Sequence, residues 1–355
     1  MKKLTKTLFI ILLFAACKET KESREAMLPE SAGQLAELVV ITDKQSLDSN
    51  YKELIRSVFQ EELKGFPPPS EAQFKVLFTD ESFFKGYFQS HQNIFVLVTA
   101  DNIKALTKII GEGNIPKVKE VISNQTEVLG FNRSNVWAQN QNVFYITGKN
   151  KKDIEQKLVQ RSTELLELAH KNEVLTAEKK FFVISQTADT FFKNRLELKG
   201  FSVRKPKSYR IAIDNQEITW LRKSPSDKEQ EFGVLLFEVP YTNKEQLSTQ
   251  NLIEIRNSYT KKYVPGSIAG SYMKYSDAIT PFRNEYNFDG RLAIDIRGWW
   301  DLHGDFMGGP SVIRAIVDEK GKRIVFIEGF LYFPNEKKAK SLRELELIIN
   351  TLKIK

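Results

Sequence analysis

The densest run of polar and aromatic side chains extends from Arg297 to Pro310 (RGWWDLHGDFMGGP). Asp301, His303 and Asp305 stand in it at alternate positions, two carboxylates and an imidazole that would converge on a divalent cation if the segment curled. Arg297 heads the run, and Trp299 and Trp300 would offer a stacking platform for a sugar or a peptide. Strand alternation produces the same spacing without any site. In that reading the run connects two strands: Gly304, Gly308 and Gly309 supply unusual backbone angles, the carboxylates cap turns and the tryptophans pack at the core. No metal and no cofactor is expected. Arg297, Trp299, Trp300, Asp301, His303 and Asp305 stand as candidate binding residues, and the catalytic residues, if there are any, are not identified by the sequence. Val264 to Met273 is a Gly- and Ser-containing loop that could cradle an anion, but it follows a helix and meets the negative end of its dipole, so it is expected to be a chain reversal. His91 and His170, each flanked by polar residues, read as surface histidines.

The single cysteine gives the strongest signal. Met1 to Lys6 is a short cationic region, and Leu8 to Phe14 is an apolar stretch too short to span a bilayer, the pattern of a secretory signal peptide. It ends in Phe14-Ala15-Ala16-Cys17, similar to a bacterial lipobox, in which small residues fit the peptidase and the Cys thiol takes a diacylglyceryl group. Residues 1–16 are therefore expected to be a lipoprotein signal peptide, Cys17 the lipidated residue and 17–32 a solvated tether. Several acyl chains anchor a protein without a membrane-spanning helix. Lys18 stands where an Asp would favour inner-membrane retention, so the outer membrane is expected, with the facing left open. The leader also supplies Lys2, Lys3 and Lys6 to the net charge of +8. An exported chain of modest charge is not expected to bind nucleic acid.

The whole chain has 355 residues, 41% hydrophobic and 28% charged, enough for a buried core and about two domains of roughly 150 residues each. One Cys and three His exclude disulfide scaffolds, CxxC redox sites and Cys-based zinc sites. The motifs GxxxxGK[ST], HExxH and GxSxG are missing, as is an EF-hand loop. The 25 Phe read as core, with a lipid cavity as the alternative.

The pattern predicts strands near 35–41, 74–78 and 94–98, and a strand pair 135–138 and 143–147. It predicts helices near 49–63, 102–110, 118–123 and 151–171. Lys171-Asn172-Glu173 is the expected boundary between an N-terminal α/β domain (33–172) and a C-terminal α+β domain (173–355). Beyond it, helical periodicity resumes from Glu178 to Lys199. Strands near 209–213, 217–222 and 232–239 follow, then a helix near 248–262. Last come a meander of four strands between 283 and 333 with an Asp289-Gly290 hairpin, and a helix from 338 to 351. The fold class is α+β: a mixed α/β N-terminal half, and an antiparallel sheet covered by helices on one face in the C-terminal half.

Several segments together resemble the uncharacterised lipoproteins of Bacteroidota-type bacteria grouped as domain of unknown function 4837: Leu28 to Gly33, Val136 to Gln139, Trp220 to Arg222, Val239 to Tyr241, Val264 to Gly266, Ser271 to Met273, and Arg297 to Pro310 with Gly329-Phe330. The resemblance runs from about Leu28 to the closing helix. It implies an envelope lipoprotein and carries no catalytic residue. The meander and closing helix also resemble the PsbP-like fold, at the level of fold alone. The expected role is a lipid-anchored, non-catalytic envelope module that contacts the membrane through its anchor and binds another envelope protein through the Trp299 to Pro310 segment. The alternatives are an envelope hydrolase or metal-assisted enzyme using Asp301, His303 and Asp305, and a carrier for lipid or sugar.

Overall fold

A computed structural model describes residues 25–124, 128–182, 186–227 and 229–355. The leader and Cys17 lie outside the described residues. In the N-terminal half β1 (Glu37–Thr42), β2 (Lys75–Asp80), β3 (Asn93–Thr99), β4 (Gly130–Ser134) and β5 (Asn142–Gly148) form one sheet in the order β2-β1-β3-β5-β4. The first four strands of that order are parallel, and β4 closes the edge antiparallel to β5. Parallel neighbours need crossovers, and helices supply most of them. α1 (Ser49–Phe59), α3 (Lys151–Gln160) and α4 (Ser162–Phe181) cover one face, where Leu38, Val40, Phe95, Leu97, Phe144 and Ile146 point. The other face, with Val39, Ile41, Val96, Val98 and Tyr145, packs under the segment from Ile103 to Ile122, which includes α2 (Ile115–Asn124). With both faces covered, β1, β3 and β5 are buried along their whole length, which is why they read as unbroken apolar runs.

Three local expectations shift. The cap of α1 is Asp48, whose carboxylate accepts the Tyr51 N–H at 2.8 Å, and the helix expected to reach 63 ends at Phe59. The partner of β5 is Gly130–Ser134; Asn135 to Gln141 form the turn instead, with Asn135 and Asn140 both at φ 53° and the Gln141 side chain accepting the Trp137 N–H. The helix expected over 151–171 breaks at Arg161, and its second part continues to Phe181, so Asn172 and Glu173 lie buried within α4.

The C-terminal half begins with α5 (Gln186–Lys199). A short strand, β6 (Phe201–Ser202), pairs only with the terminal β15 (Lys353–Ile354). The main sheet contains β7 (Arg210–Asp214), β8 (Ile218–Lys223), β9 (Glu231–Pro240), β10 (Tyr272–Tyr275), β11 (Phe282–Phe288), β12 (Arg291–His303), β13 (Gly308–Asp318) and β14 (Arg323–Tyr332). Its order is β10-β12-β13-β14-β9-β8-β7, and β11 also pairs with β12; every pairing is antiparallel. The thirteen-residue β12 thus takes β11 along its first part and β10 along its last four residues. Asp289 and Gly290 both adopt positive φ, as the predicted two-residue hairpin requires.

The strands alternate cleanly between two cores. Val325, Ile327 and Leu331 of β14 meet α7 (Ala339–Ile349), together with the end of α4, while Ile324, Phe326 and Phe330 meet α6 (Thr249–Tyr263). Helices therefore cover both faces of this sheet, where one was expected. Inside the α6 layer Arg256 forks onto Glu328 with bonds of 2.8 and 2.7 Å, and both side chains are wholly buried. The Ser311 hydroxyl donates to the same carboxylate. No helix among the described residues is long and apolar enough to cross a membrane.

Candidate functional site

β12 positions the candidate residues, and alternation sorts them. Its even-numbered side chains, Ile294, Ile296, Trp300 and Leu302, enter the α6 core. Trp300 is buried, with its indole N–H on the Leu331 carbonyl at 3.2 Å and its ring edge-on to Phe330. It is a core residue and no stacking platform. Asp295, Arg297 and Trp299 face the other way, toward the seam between the halves. There the 60–73 segment of the N-terminal half lies against the strand. A Cβ on Gly65, which has φ 82°, would stand 2.4 Å from the Arg297 carbonyl, so the approach requires glycine.

Two adjoining spaces open along this seam and share Leu63. The first is a groove of about 370 Å³ in which Trp299 is partly exposed among Phe66, the three prolines Pro67 to Pro69, Pro310 and Leu342. The second is a polar cleft of about 480 Å³, lined by Gln73, His170, Asp295, Arg297, Arg343 and Glu346 among others. Its charges are paired internally. Arg343 lies 2.8 Å from Glu173 and 2.5 Å from Glu346, and the other oxygen of Glu346 lies 2.5 Å from Arg297. Arg314 forks onto Asp295 at 2.9 and 3.0 Å. Burial pushes Glu173 up to about 7 against the pull of Arg343. Burial also works against ionisation of Glu346, yet the guanidinium groups of Arg297 and Arg343 hold it down at about 2. The difference is one of count: two cations serve Glu346 and one serves Glu173.

His170 is half-buried in the cleft wall and not a free surface residue. Its Nε2 lies 2.8 Å from the Gln73 amide oxygen, its Nδ1 is sheltered without a hydrogen-bond partner, and burial with the nearby Arg343 holds its pKa well below the ordinary value. His91 is fully buried, its ring against the backbone of Asn93 and its Nε2 3.9 Å from Glu37. Among the described residues, the hydrogen-bond partners of the two rings are the Asn93 backbone and the Gln73 amide.

The remaining candidates do not converge. Asp301 faces Lys274 across the β10–β12 pairing, with one carboxylate oxygen sheltered and unpartnered. His303 is exposed at the strand end with its ring 5.0 Å from that of Tyr272. The Asp305 carboxylate is taken by the Ser267 N–H and hydroxyl and the Phe306 N–H. Among the described residues no group of three or more His, Cys, Asp and Glu could hold a metal ion. Of the run, Arg297 and Trp299 belong to the seam, and the seam residues that the sequence did not reveal are Gln73, His170, Glu173, Arg343 and Glu346. The Val264–Met273 loop is a reversal as expected, but its end forms β10.

The sheet of the C-terminal half, with β12 at the seam, coincides with a known family. Residues 185–351 match the domain of unknown function 4837. The match is narrower than the motifs suggested, because residues 31–182, including Val136 to Gln139, match a different model, domain of unknown function 8532. No curated protein matches the chain. Among solved structures, the chain is similar to cyanobacterial PsbP from Synechocystis at 8% identity, over 44% of this chain and 87% of that one, with a TM-score of 0.29. It is also similar to human StAR-related lipid transfer protein 5 at 10% identity, over 47% and 92%, with a TM-score of 0.22. At these scores neither likeness bears on function.

Proposed function

We propose that this chain is a lipid-anchored protein of the cell envelope, attached through Cys17 and placed at the outer membrane, whose globular part is a non-catalytic binding module. The observation that carries the reading is the seam. An aromatic and proline-lined groove at Trp299 adjoins a polar cleft whose guanidinium groups are held in place by carboxylates. Planar groups fixed by their own ion pairs suit recognition, because little side-chain freedom is lost when a partner docks. The occupant is another envelope protein, with Trp299 as the anchor residue; partly exposed tryptophans set in apolar surroundings are typical of such anchors. The cationic leader, the short apolar run and the position of the one cysteine support the lipid anchor.

Two experiments test these parts separately. Cys17→Ser should move the protein from the detergent phase to the aqueous phase and remove the mass of the acyl chains from the mature N-terminus; an unchanged partition rejects the anchor. In-cell cross-linking of the wild type against Trp299→Ala, which leaves the buried Trp300 in place, tests the seam. A discrete envelope protein captured by the wild type and lost in the variant supports the module. Equal capture by both rejects the seam as its site, and no specific capture rejects the binding reading.

A further inference from the structure

The turn between β12 and β13 carries Phe306, and this ring is 100% exposed, the most exposed of the large apolar side chains described. Ile268, in the loop before β10, is 51% exposed. The two belong to one tip, because the Asp305 carboxylate ties their loops together: it accepts the Ser267 N–H at 3.0 Å, the Ser267 hydroxyl at 2.6 Å and the Phe306 N–H at 2.7 Å. Those bonds, with the Ser267 hydroxyl foremost, hold Asp305 below the usual carboxylate range. Gly304 at φ 79° and Gly270 at φ 82° turn the two loops. Met307 folds back against the α6 core, whereas its neighbour Phe306 does not. The apolar side chains are thus presented by a built turn.

Behind the tip stands a collar of a different kind. Tyr272 packs against the His303 ring at 5.0 Å, and the Lys261 ammonium lies 4.9 Å above the Tyr272 ring. Between Val264 and Met273 and between Leu302 and Gly309, Asp305 is the single carboxylate, and its hydrogen bonds are spent within the tip. An apolar apex followed by tyrosine, histidine and lysine matches the change in polarity from acyl chains to headgroups, where amphipathic rings and long cationic side chains settle. A protein partner would instead need a ring of surrounding contacts to exclude water from the anchor. Two protruding side chains suit a soft medium better.

We infer that the Phe306–Ile268 tip is a second membrane contact, inserting shallowly into the lipid surface at the headgroup level. Two apolar side chains hold a freely diffusing protein to a bilayer only weakly. On a chain already tethered the insertion becomes intramolecular and gains from the high effective concentration of lipid. The inference therefore rests on the lipid-anchor reading for its role in the cell, but its test does not use the acyl chains. Cys17→Ser protein comprising residues 17–355, with a histidine tag in place of the leader, is held on vesicles of phosphatidylethanolamine and phosphatidylglycerol doped with a nickel-chelating lipid. Phe306→Trp adds an emitter at the tip, read as the difference from the parent protein, which retains its own tryptophans. Insertion predicts that the added emission shifts to the blue and is mostly lost when the acyl chains are brominated. Ile268→Asn in the same background should weaken that quenching. An added emission that neither shifts nor is quenched overturns the membrane contact, and quenching indifferent to Ile268→Asn overturns the two-residue tip. Because the tag sets the tethering, these outcomes stay separate from any failure of Cys17 lipidation.

Discussion

Glu173 offers the sharpest test of how the seam is held. Its side chain is fully buried, one oxygen accepting the Ala36 N–H at 2.5 Å and the other 2.8 Å from Arg343. Burial raises it from the ordinary 4.5 to about 7, so the folded protein binds this proton more tightly than the unfolded chain does. The stability it contributes is complete below about pH 4.5, is lost as pH rises through about 7, and stays lost above that. At about 1.4 kcal/mol per unit, the whole shift is worth roughly 3 kcal/mol. Glu346 runs the other way: held down at about 2, it adds stability above 4.5 that disappears as pH falls toward 2. Glu173→Gln keeps an acceptor for the Ala36 N–H and removes the charge, while Arg343 retains Glu346. Urea unfolding from pH 4.5 to 8.5 should find the variant close to wild type at the acid end and roughly 3 kcal/mol more stable at the alkaline end. Parallel curves would refute the assignment of the raised proton to Glu173. A variant destabilised by about 3–5 kcal/mol at every pH would refute it too, since that is the cost of leaving Arg343 as an unpaired buried cation.

Three further outcomes follow from the packing. Glu328→Gln leaves the wholly buried Arg256 without its counter-charge and should cost about 3–5 kcal/mol in denaturant unfolding. Trp300→Ala should cost about 3–5 kcal/mol through the cavity and the lost bond to Leu331, whereas Trp299→Ala, at the rim of an open groove, should leave the unfolding midpoint near that of the wild type. In Gly309→Ala the new Cβ would stand 1.9 Å from the Leu331 carbonyl, so the β13–β14 pairing must shift and the thermal midpoint should fall by several degrees, whereas Gly113→Ala, with nothing within 4 Å, should not lower it.

Local patterns carried most of the element list. The apolar runs of β1, β3 and β5, the Asp289-Gly290 hairpin and the stripe of α7 were legible because each is decided within ten or so residues. Pairing was not: β9 lies beside β14 in the sheet while about ninety residues separate them in the chain, and the short β10 gains strand character from the end of β12. The helix end at Lys171 was misread for a specific reason. Leu165, Leu166 and Ala169 set a buried stripe that continues through Asn172, Glu173, Thr176 and Ala177, and these polar members interrupt the apolar pattern so that it resumes only near Glu178. A carboxylate at a buried helix position implies a cation from elsewhere, and Arg343 supplies it. Arg343 and Glu346, three residues apart beside the apolar stripe of α7, gave the matching signal. Asp301, His303 and Asp305 have the spacing that strand alternation produces, the simpler of the two readings open in the sequence; only Asp301 and His303 share a strand face, and Asp305 turns to Ser267.

The two halves match separate families, yet the structure joins them through groups that neither half can satisfy alone. α4 brings Glu173 and His170, and α7 brings Arg343 and Glu346. β12 brings Arg297, whose carbonyl the loop at Gly65 reaches. Removing the N-terminal half would leave Arg343 with Glu346 alone and expose Leu342, Leu345 and Val312 where α4 and the 60–73 segment now lie. Removing the C-terminal half would take Arg343 away from Glu173 and leave the Ala36 N–H as its remaining polar partner. The ion pairs therefore set the register between the halves more than they add stability, since a buried pair roughly offsets its own desolvation. That fixed register keeps Trp299 beside the three prolines. The groove exists only where the two halves meet, so the binding proposed for it would require the joined chain and could not be assigned to either family match by itself.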